Sequence, residues 1–450
     1  MGGVKRFLSN SFVLVAGTIL AAGLNYAYNL LVNRLLNPAD YATFGALMGV
    51  VMIIGAPIGA LQTIAAKYAA DCYADDDEGG IWLLLKKMTA RVAPIGGLLF
   101  LFFVLFSGPI ANFIAQDDVS STTKGVIVVG AGLLFQLLLP INRGLLQGAH
   151  LFADLAVNLI VDAAGRVFLG LLIMWPLATA ETGASLGSVL RGEVKVHDSW
   201  AVAAAIGATV LGSFLAYMMA LRPVGRWAQK PARQREFDLK KMLTFAWPTL
   251  LMYLFTTILL TVDVILVKRY AEIGTGLTPT NAGEYATLST LAKLIFYITG
   301  PIVTVMFPMI TNLVKKGEKH YRVLLIALVS VLAGSSIVLG VFSVAPNFII
   351  SKLAPNYTHV SYLLVPMTVI FLFYGLVNLF ANYFLSLQKY YLLVPLAVGS
   401  ILEIGLIMAY HDSVAEVIKM VTIAQMVALL GFVLYYVRMK YRSIKTWFMV

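Results

Sequence analysis

Apolar residues run through this chain in long uninterrupted blocks. Neither the strict alternation of half-buried strands nor the one-sided stripe of a soluble helix dominates it. Twelve blocks, near residues 12–34, 41–65, 92–115, 124–146, 155–177, 200–221, 243–267, 284–310, 323–345, 361–386, 392–410 and 414–436, are each long enough to cross about 30 Å of hydrocarbon as a helix. A bilayer offers no water to exposed backbone groups, and the blocks lack the dyad alternation of a membrane barrel. The pattern therefore predicts an all-α polytopic membrane protein with twelve transmembrane helices.

The polar positions between the blocks repeat. NPADYATFGALMGVVMIIGAP (37–57) and NAGEYATLSTLAKLIFYITGP (281–301) align without a gap, pairing Asn37 with Asn281, Tyr41 with Tyr285, Thr43 with Thr287 and Pro57 with Pro301. This matches span 2 with span 8. Six spans per repeat is an even number, so both halves share one orientation, as two six-helix lobes related by a pseudo-twofold axis along the membrane normal. Weaker matches place Asn29 opposite Asp263 (YNLLVNR, 28–34, on VDVILVK, 262–268) and, with Gln147 anchored on Gln388, Asp162 opposite Glu403. The organisation predicted is an N-terminal lobe (1–221), a basic linker (222–241), a C-terminal lobe (242–436) and a tail (437–450).

Composition agrees: 60% of residues are hydrophobic, 12% are charged and the mean hydropathy is +0.86, too little polar surface for a soluble globule of 450 residues. The net charge of +11 sits in short links with no basic-aromatic patch, which argues against nucleic acid as a partner. Of the Lys and Arg residues, 23 fall on one side of the predicted topology, seven on the other and three within spans. Both termini are thus expected in the cytoplasm, the protein in the cell membrane, and the first span uncleaved. In the linker, Arg222, Arg226 and Lys230 recur at helical spacing, either to touch anionic lipid headgroups or as ordinary positive-inside charge. The acidic run Asp75 to Glu78 reads as a solvated loop. A single cysteine, Cys72, excludes an internal disulfide, and no phosphate-binding loop, HExxH or cysteine-histidine cluster indicates an ATPase or a metal or other cofactor.

Ionisable groups at membrane depth are expensive and call for a use. Asp162 and Arg166 are one turn apart on span 5, with Asn158 a further turn back. Either Arg166 faces an anionic substrate with Asp162 orienting it, or the two neutralise each other between helices. Lys293, deep in span 8, is a candidate substrate contact or the partner of Asp263 or Glu403. Asp263 and Glu403 are candidate ion-coupling carboxylates, with Asp162 as a third; an outer salt bridge from Asp263 to Lys268 or Arg269 is the alternative. Asn25, Asn29 and Asn33 form an amide stripe on span 1 with Arg34 at its outer end, suited to sugar hydroxyls and equally to helix packing. Asn378 and Asn382 repeat that spacing. Pro57, Pro140, Pro176, Pro248, Pro301 and Pro308 are placed to bend helices.

The segments LVNRLLNPADYATFGAL, INRGLLQGAHLF, VDVILVKRY through NAGEYATLSTLAK, and LAPNYTHVSYLLVPM, in this order and across twelve spans, resemble the multidrug/oligosaccharidyl-lipid/polysaccharide (MOP) flippase superfamily in its polysaccharide-biosynthesis branch. The resemblance implies two lobes that open alternately to each side and turn a lipid-linked oligosaccharide from the inner to the outer leaflet. It also implies cationic residues holding the substrate's phosphates in a central cavity; Arg143, Arg166 and Lys293 are the positions that answer. Polysaccharide polymerase or export proteins are the further partners it suggests. Three other readings stay open: a proton- or sodium-coupled drug or cation antiporter of the MATE kind, a membrane subunit of an exopolysaccharide secretion complex, and a membrane glycosyltransferase. The last needs catalytic carboxylates or arginines in the longest external loop, where only Glu181, Arg191, Glu193 and Asp198 stand, so no enzyme is expected.

Overall fold

The computed structural model describes residues 2–116, 118–179, 187–188, 195–196, 199–231 and 239–447. Glu181, Arg191, Glu193 and Asp198, and the linker residues Arg233 and Arg235, lie outside them. Among the described residues the chain is helical without strands. Its helices are α1 (Gly2–Leu35), α2 (Pro38–Gly55), α3 (Pro57–Ala74), α4 (Glu78–Leu105), α5 (Ser107–Ile114), α6 (Val119–Gly148), α7 (Phe152–Thr179), α8 (Ala201–Gly225), α9 (Leu239–Ile273), α10 (Pro279–Ala292), α11 (Leu294–Lys315), α12 (Tyr321–Val344), α13 (Pro346–Leu353), α14 (Leu364–Ser386), α15 (Leu393–Ala409) and α16 (Val414–Trp447). Twelve segments are long and apolar enough to span a membrane, with α2 and α3 forming one and α10 and α11 another. This is the all-α, twelve-span membrane fold expected from the sequence.

Local chemistry sets the boundaries. Asn37 caps α2, its Oδ1 accepting from the Asp40 N–H at 2.8 Å, with Pro38 at the first helical position; Thr278 and Asn281 form a capping box ahead of α10. Span 2 breaks at Ala56, because Pro57 has no N–H to continue the ladder. Pro140, Pro176 and Pro248 lie inside helices α6, α7 and α9. The acidic run departs from a wholly solvated loop. Asp77 is buried, and its carboxylate accepts from the Gly80 N–H at 2.9 Å, starting α4 there. The helix of span 3 consequently runs from Glu78, taking in Lys86, Lys87 and Arg91, to Leu105, where Phe106 breaks it ahead of α5, so it starts and ends earlier than the apolar pattern indicates.

In the N-terminal half, α7 packs on α1 and α8, and α6 on α3, α4 and α8; in the C-terminal half, α9, α14, α15 and α16 pack around one another and α11 on α12 and α14. The halves meet through α2 and α3 against α9, α2 against α10 and α1 against α11. An even number of spans puts both termini on one face, which carries most of the Lys and Arg and is called the basic face below. On the opposite face the halves are tied together. The Arg34 guanidinium donates to the Leu353 carbonyl at 3.2 Å and to that of Lys352, Arg269 Nη1 to the Phe113 carbonyl at 2.9 Å, and the Gln116 N–H to Glu272 at 3.0 Å. Gly283 permits the closest approach: a Cβ there would lie 2.5 Å from the Pro38 carbonyl oxygen.

The repeat correspondence shifts by one turn at the basic face. Spans 4 and 10 end in the same left-handed cap, at His150 (φ 58°) and Gln388 (φ 55°), so His150 and not Gln147 is the counterpart of Gln388. Three extra residues in the second half, the 3₁₀ turn Tyr390–Leu392, restore the register, and Asp162 then does correspond to Glu403, each at the same distance from the start of α7 and α15.

Candidate functional site

In the N-terminal half one carboxylate serves two guanidiniums. Asp162 accepts from Arg166 Nε at 3.1 Å and Nη2 at 3.1 Å, and from Arg143 Nη2 at 2.9 Å. Around this core, Arg143 Nε donates to Asn158 at 2.7 Å, Arg166 Nη1 to Asn25 at 3.2 Å, and the Ser213 hydroxyl to Asp162 at 3.2 Å. The arrangement exists because α7 and α8 cross closely where Gly165 faces Gly212; a Cβ on Gly212 would meet the Asp162 carbonyl oxygen at 2.9 Å. Two cations against one anion leave one net positive charge, with the Asp162 side chain 9% exposed and that of Arg166 21% exposed. Arg143, counted on the basic side by the topology and named as a cavity cation by the resemblance, is drawn into the bundle by this network but does not line the cavity.

Arg166 reaches a cavity of about 300 Å³ between the halves, lined also by Asn25, Asn29, Gln136 and Tyr26 from the N-terminal half and by Thr290, Lys293 and Tyr297 from the C-terminal half. Lys293 occupies the one-residue interruption between α10 and α11. Among the described residues its ammonium makes no hydrogen bond and no ion pair within 4 Å, though it interacts electrostatically with Asp263. Among the described residues no Asp or Glu lines the cavity. It is closed toward the opposite face by Tyr41 bonded to Thr290 at 2.6 Å, Tyr26 to the Leu291 carbonyl at 3.3 Å and Asn33 to Thr287 at 2.7 Å. Through Tyr297 the cavity adjoins an apolar cleft of about 550 Å³ between α1, α11 and α12, lined by Val15, Ile19, Pro301 and Met306 among others.

The C-terminal half holds carboxylates without guanidiniums. Asp263 is buried, accepts from the Tyr285 hydroxyl at 2.7 Å and keeps Oδ1 without a partner; Glu403 is fully buried, accepts from Gln425 Nε2 at 3.3 Å and keeps Oε1 without a partner. Ser289, one turn beyond Tyr285 on α10, likewise has an unpartnered buried hydroxyl. A buried carboxylate oxygen without a donor is costly and favours a proton or cation beside it. Lys293 acts on Asp263 electrostatically, whereas Lys268 pairs with Glu272 at i,i+4.

Of the sequence-predicted residues, Asn25, Asn29, Arg166 and Lys293 share the cavity, while Arg143 and Asp162 stand behind it. Asn33 is buried in the interface of the halves and Arg34 ties their rims, so the amide stripe divides between lining and packing. At the rim, Lys195 Nζ donates to the carbonyls of Arg34 (2.8 Å) and Asn33 (3.3 Å), and burial pushes its ammonium down to about 8. Ser213 and Gln425 join these networks, and Gln136 the cavity wall, without any sequence signal, since each is an uncharged polar residue of the kind scattered through apolar spans.

The twelve apolar helices make this a multi-pass membrane protein. An inward-facing multidrug resistance MATE family transporter of the MOP superfamily superposes with a TM-score of 0.72 at 14% identity, covering 94% of this chain and 96% of its own. An outward-facing structure of such a transporter gives 0.62 at 14% identity, with 97% and 96% covered. A MOP superfamily transporter from Pyrococcus furiosus, described as having a binding pocket of reverse polarity that suggests a different function, gives 0.65 at 15% identity, with 97% and 96% covered. No curated protein sequence matches significantly. A family model for "Polysaccharide biosynthesis protein" matches residues 7–314, and the chain belongs to that family.

Proposed function

We propose that the protein is a flippase that carries a lipid-linked oligosaccharide from the inner to the outer leaflet of the cell membrane by alternating access. One observation carries this reading: Arg166 and Lys293, contributed by different halves, face one cavity that no carboxylate among the described residues lines. A pyrophosphate crossing hydrocarbon must exchange its water for fixed positive charge, and its sugars for hydrogen-bonding side chains. Cations from both halves bind such an anion most strongly while the halves are together, so the anion itself favours closure around it. The apolar cleft beside Tyr297 leaves the lipid tail a path that stays outside the polar cavity.

The ties on the opposite face, and the better fit to an inward-facing than to an outward-facing relative, support a cytoplasm-facing state with the basic face and both termini in the cytoplasm. Outward movement of two negative charges is favoured by an interior-negative potential at about 2.3 kcal/mol per charge per 100 mV. Asp263 and Glu403 are placed to add a coupling proton or cation. Arg222 and Arg226 meet anionic lipid at the cytoplasmic surface, whereas Lys230 is paired with Glu78.

Mass spectrometry of lipid retained on the purified protein tests the substrate. A pyrophosphate-linked glycolipid is expected on the wild type and is lost from the Arg166→Ala, Lys293→Ala double variant. Proton-coupled dye efflux that is abolished by Glu403→Gln and indifferent to Lys293→Ala would instead establish a cation antiporter.

A further inference from the structure

A second space lies between the halves on the basic-face side of the first. Its volume is about 630 Å³, well inside the roughly 300–1,000 Å³ typical of small-molecule sites. Side-chain amides line it from both halves: Gln62 on α3 and Gln147 on α6 from one, Asn382 on α14 and Gln388 just beyond α14 from the other. Among the described residues Lys67 is its single charged lining residue, with its ammonium 5.6 Å from the Tyr68 ring centre, and no carboxylate lines it.

This lining narrows the ligand class. A cationic ligand would find no counter-charge, and an apolar one would strip the amides of water with nothing in return. A neutral ligand dense in hydroxyls fits, because a hydroxyl both donates and accepts while an amide presents a donor and an acceptor side by side. Tyr253, Phe307 and Tyr390 also line it and supply aromatic surface of the kind that packs on the C–H faces of sugar rings.

The amides are held in place by the backbone. Gly144 and Gly148 let α6 lie directly on α3, since a Cβ at Gly144 would meet the Gln62 carbonyl oxygen at 2.5 Å and one at Gly148 the Ala66 carbonyl oxygen at 2.3 Å. That contact brings Gln62 Nε2 to 3.2 Å from Gln147 Oε1. Across the space, Gln388 is fixed in the left-handed cap after α14, with its N–H donating to the Leu385 carbonyl and that of Lys389 to Phe384. Asn382 Nδ2 bonds Asn378 Oδ1 at 2.9 Å, leaving its own carbonyl oxygen for a ligand.

We infer that this vestibule is a carbohydrate site that recognises the neutral sugars of the transported headgroup, separately from the cationic cavity above it that takes the phosphates. The inference rests on the flippase reading and deepens it: the vestibule selects on glycan, the cavity on charge.

The test uses the full chain in lipid nanodiscs and two probes, a short-chain prenyl pyrophosphate and the same lipid bearing a neutral disaccharide. The wild type is expected to bind the glycosylated probe about tenfold tighter, the worth of one or two net hydrogen bonds. In the Gln62→Leu, Gln147→Leu, Gln388→Leu variant that preference falls to about one while affinity for the bare lipid is kept, which also reports an intact fold. A triple variant that retains the preference, or a wild type that binds both probes equally, overturns the vestibule assignment and leaves the flippase reading standing. A wild type that binds neither probe removes both.

Discussion

Asp162 holds two guanidiniums that would otherwise repel each other inside the bundle, and Lys293 has no such carboxylate within ion-pair distance. These residues should therefore respond differently to substitution. Asp162→Asn leaves two buried cations without their counter-charge and is expected to cost about 3–5 kcal/mol of stability. Lys293→Ala breaks no ion pair and should cost far less. Denaturant unfolding in detergent checks the difference, and equal losses would mean that the Arg143–Asp162–Arg166 network is not what holds α6 to α7. Half of this network was readable in the sequence, because Asn158, Asp162 and Arg166 recur at i,i+4 on one helix. The pairing of Arg143 with Asp162 was not, since a cation near the end of a span looks the same whether it meets lipid headgroups, faces a cavity or turns to a neighbouring helix. Asp263 shows the converse: its neighbours in sequence, Lys268 and Arg269, suggested a salt bridge, yet Lys268 is taken by Glu272 and Asp263 by Tyr285 from another helix.

Among the elements, the end of α1 is bound by the segment that carries Lys195. The Val196 N–H donates to the Leu35 carbonyl at 2.8 Å, and Lys195 satisfies the two preceding carbonyls, of the kind a helix C-terminus leaves open. Burial lowers the Lys195 ammonium from its ordinary value of 10.5 to about 8. The docked form therefore binds fewer protons than the released form between those values, so docking strengthens as pH rises through that window and bears the full cost of the buried charge below about 8. Wild type relative to Lys195→Met should gain thermal stability between pH 7 and pH 9.5; a constant difference would contradict the buried ammonium. Hydropathy revealed the spans but not their true ends, as the early start of α4 at Asp77 shows. Pattern alone also could not place the three residues inserted at Tyr390–Leu392, because a one-turn slip keeps the same helix face aligned.

For the whole molecule, twelve spans and their duplication were evident from apolar block length and the repeated NxxxYAT segments. The cavities were not, because they arise where α1, α2, α3 and α6 meet α9, α10, α11 and α14 across the halves, a property of packing and not of any one helix. The duplication has diverged in its chemistry. Asp162 is neutralised by two arginines in one half, while its counterpart Glu403 lies dry in the other. Equivalent positions thus carry a charge-paired carboxylate in one half and an unpaired one in the other, while Arg166 and Lys293, one from each half, line the cavity between them.

The most direct measurement is leaflet transfer of a pyrophosphate-linked oligosaccharide lipid by the purified protein in proteoliposomes. Transfer by the wild type, slowed at least about tenfold by Arg166→Ala and by Lys293→Ala as each removes one charge-assisted contact, is the predicted result. Undiminished transfer by both variants, inserted and folded, would contradict it.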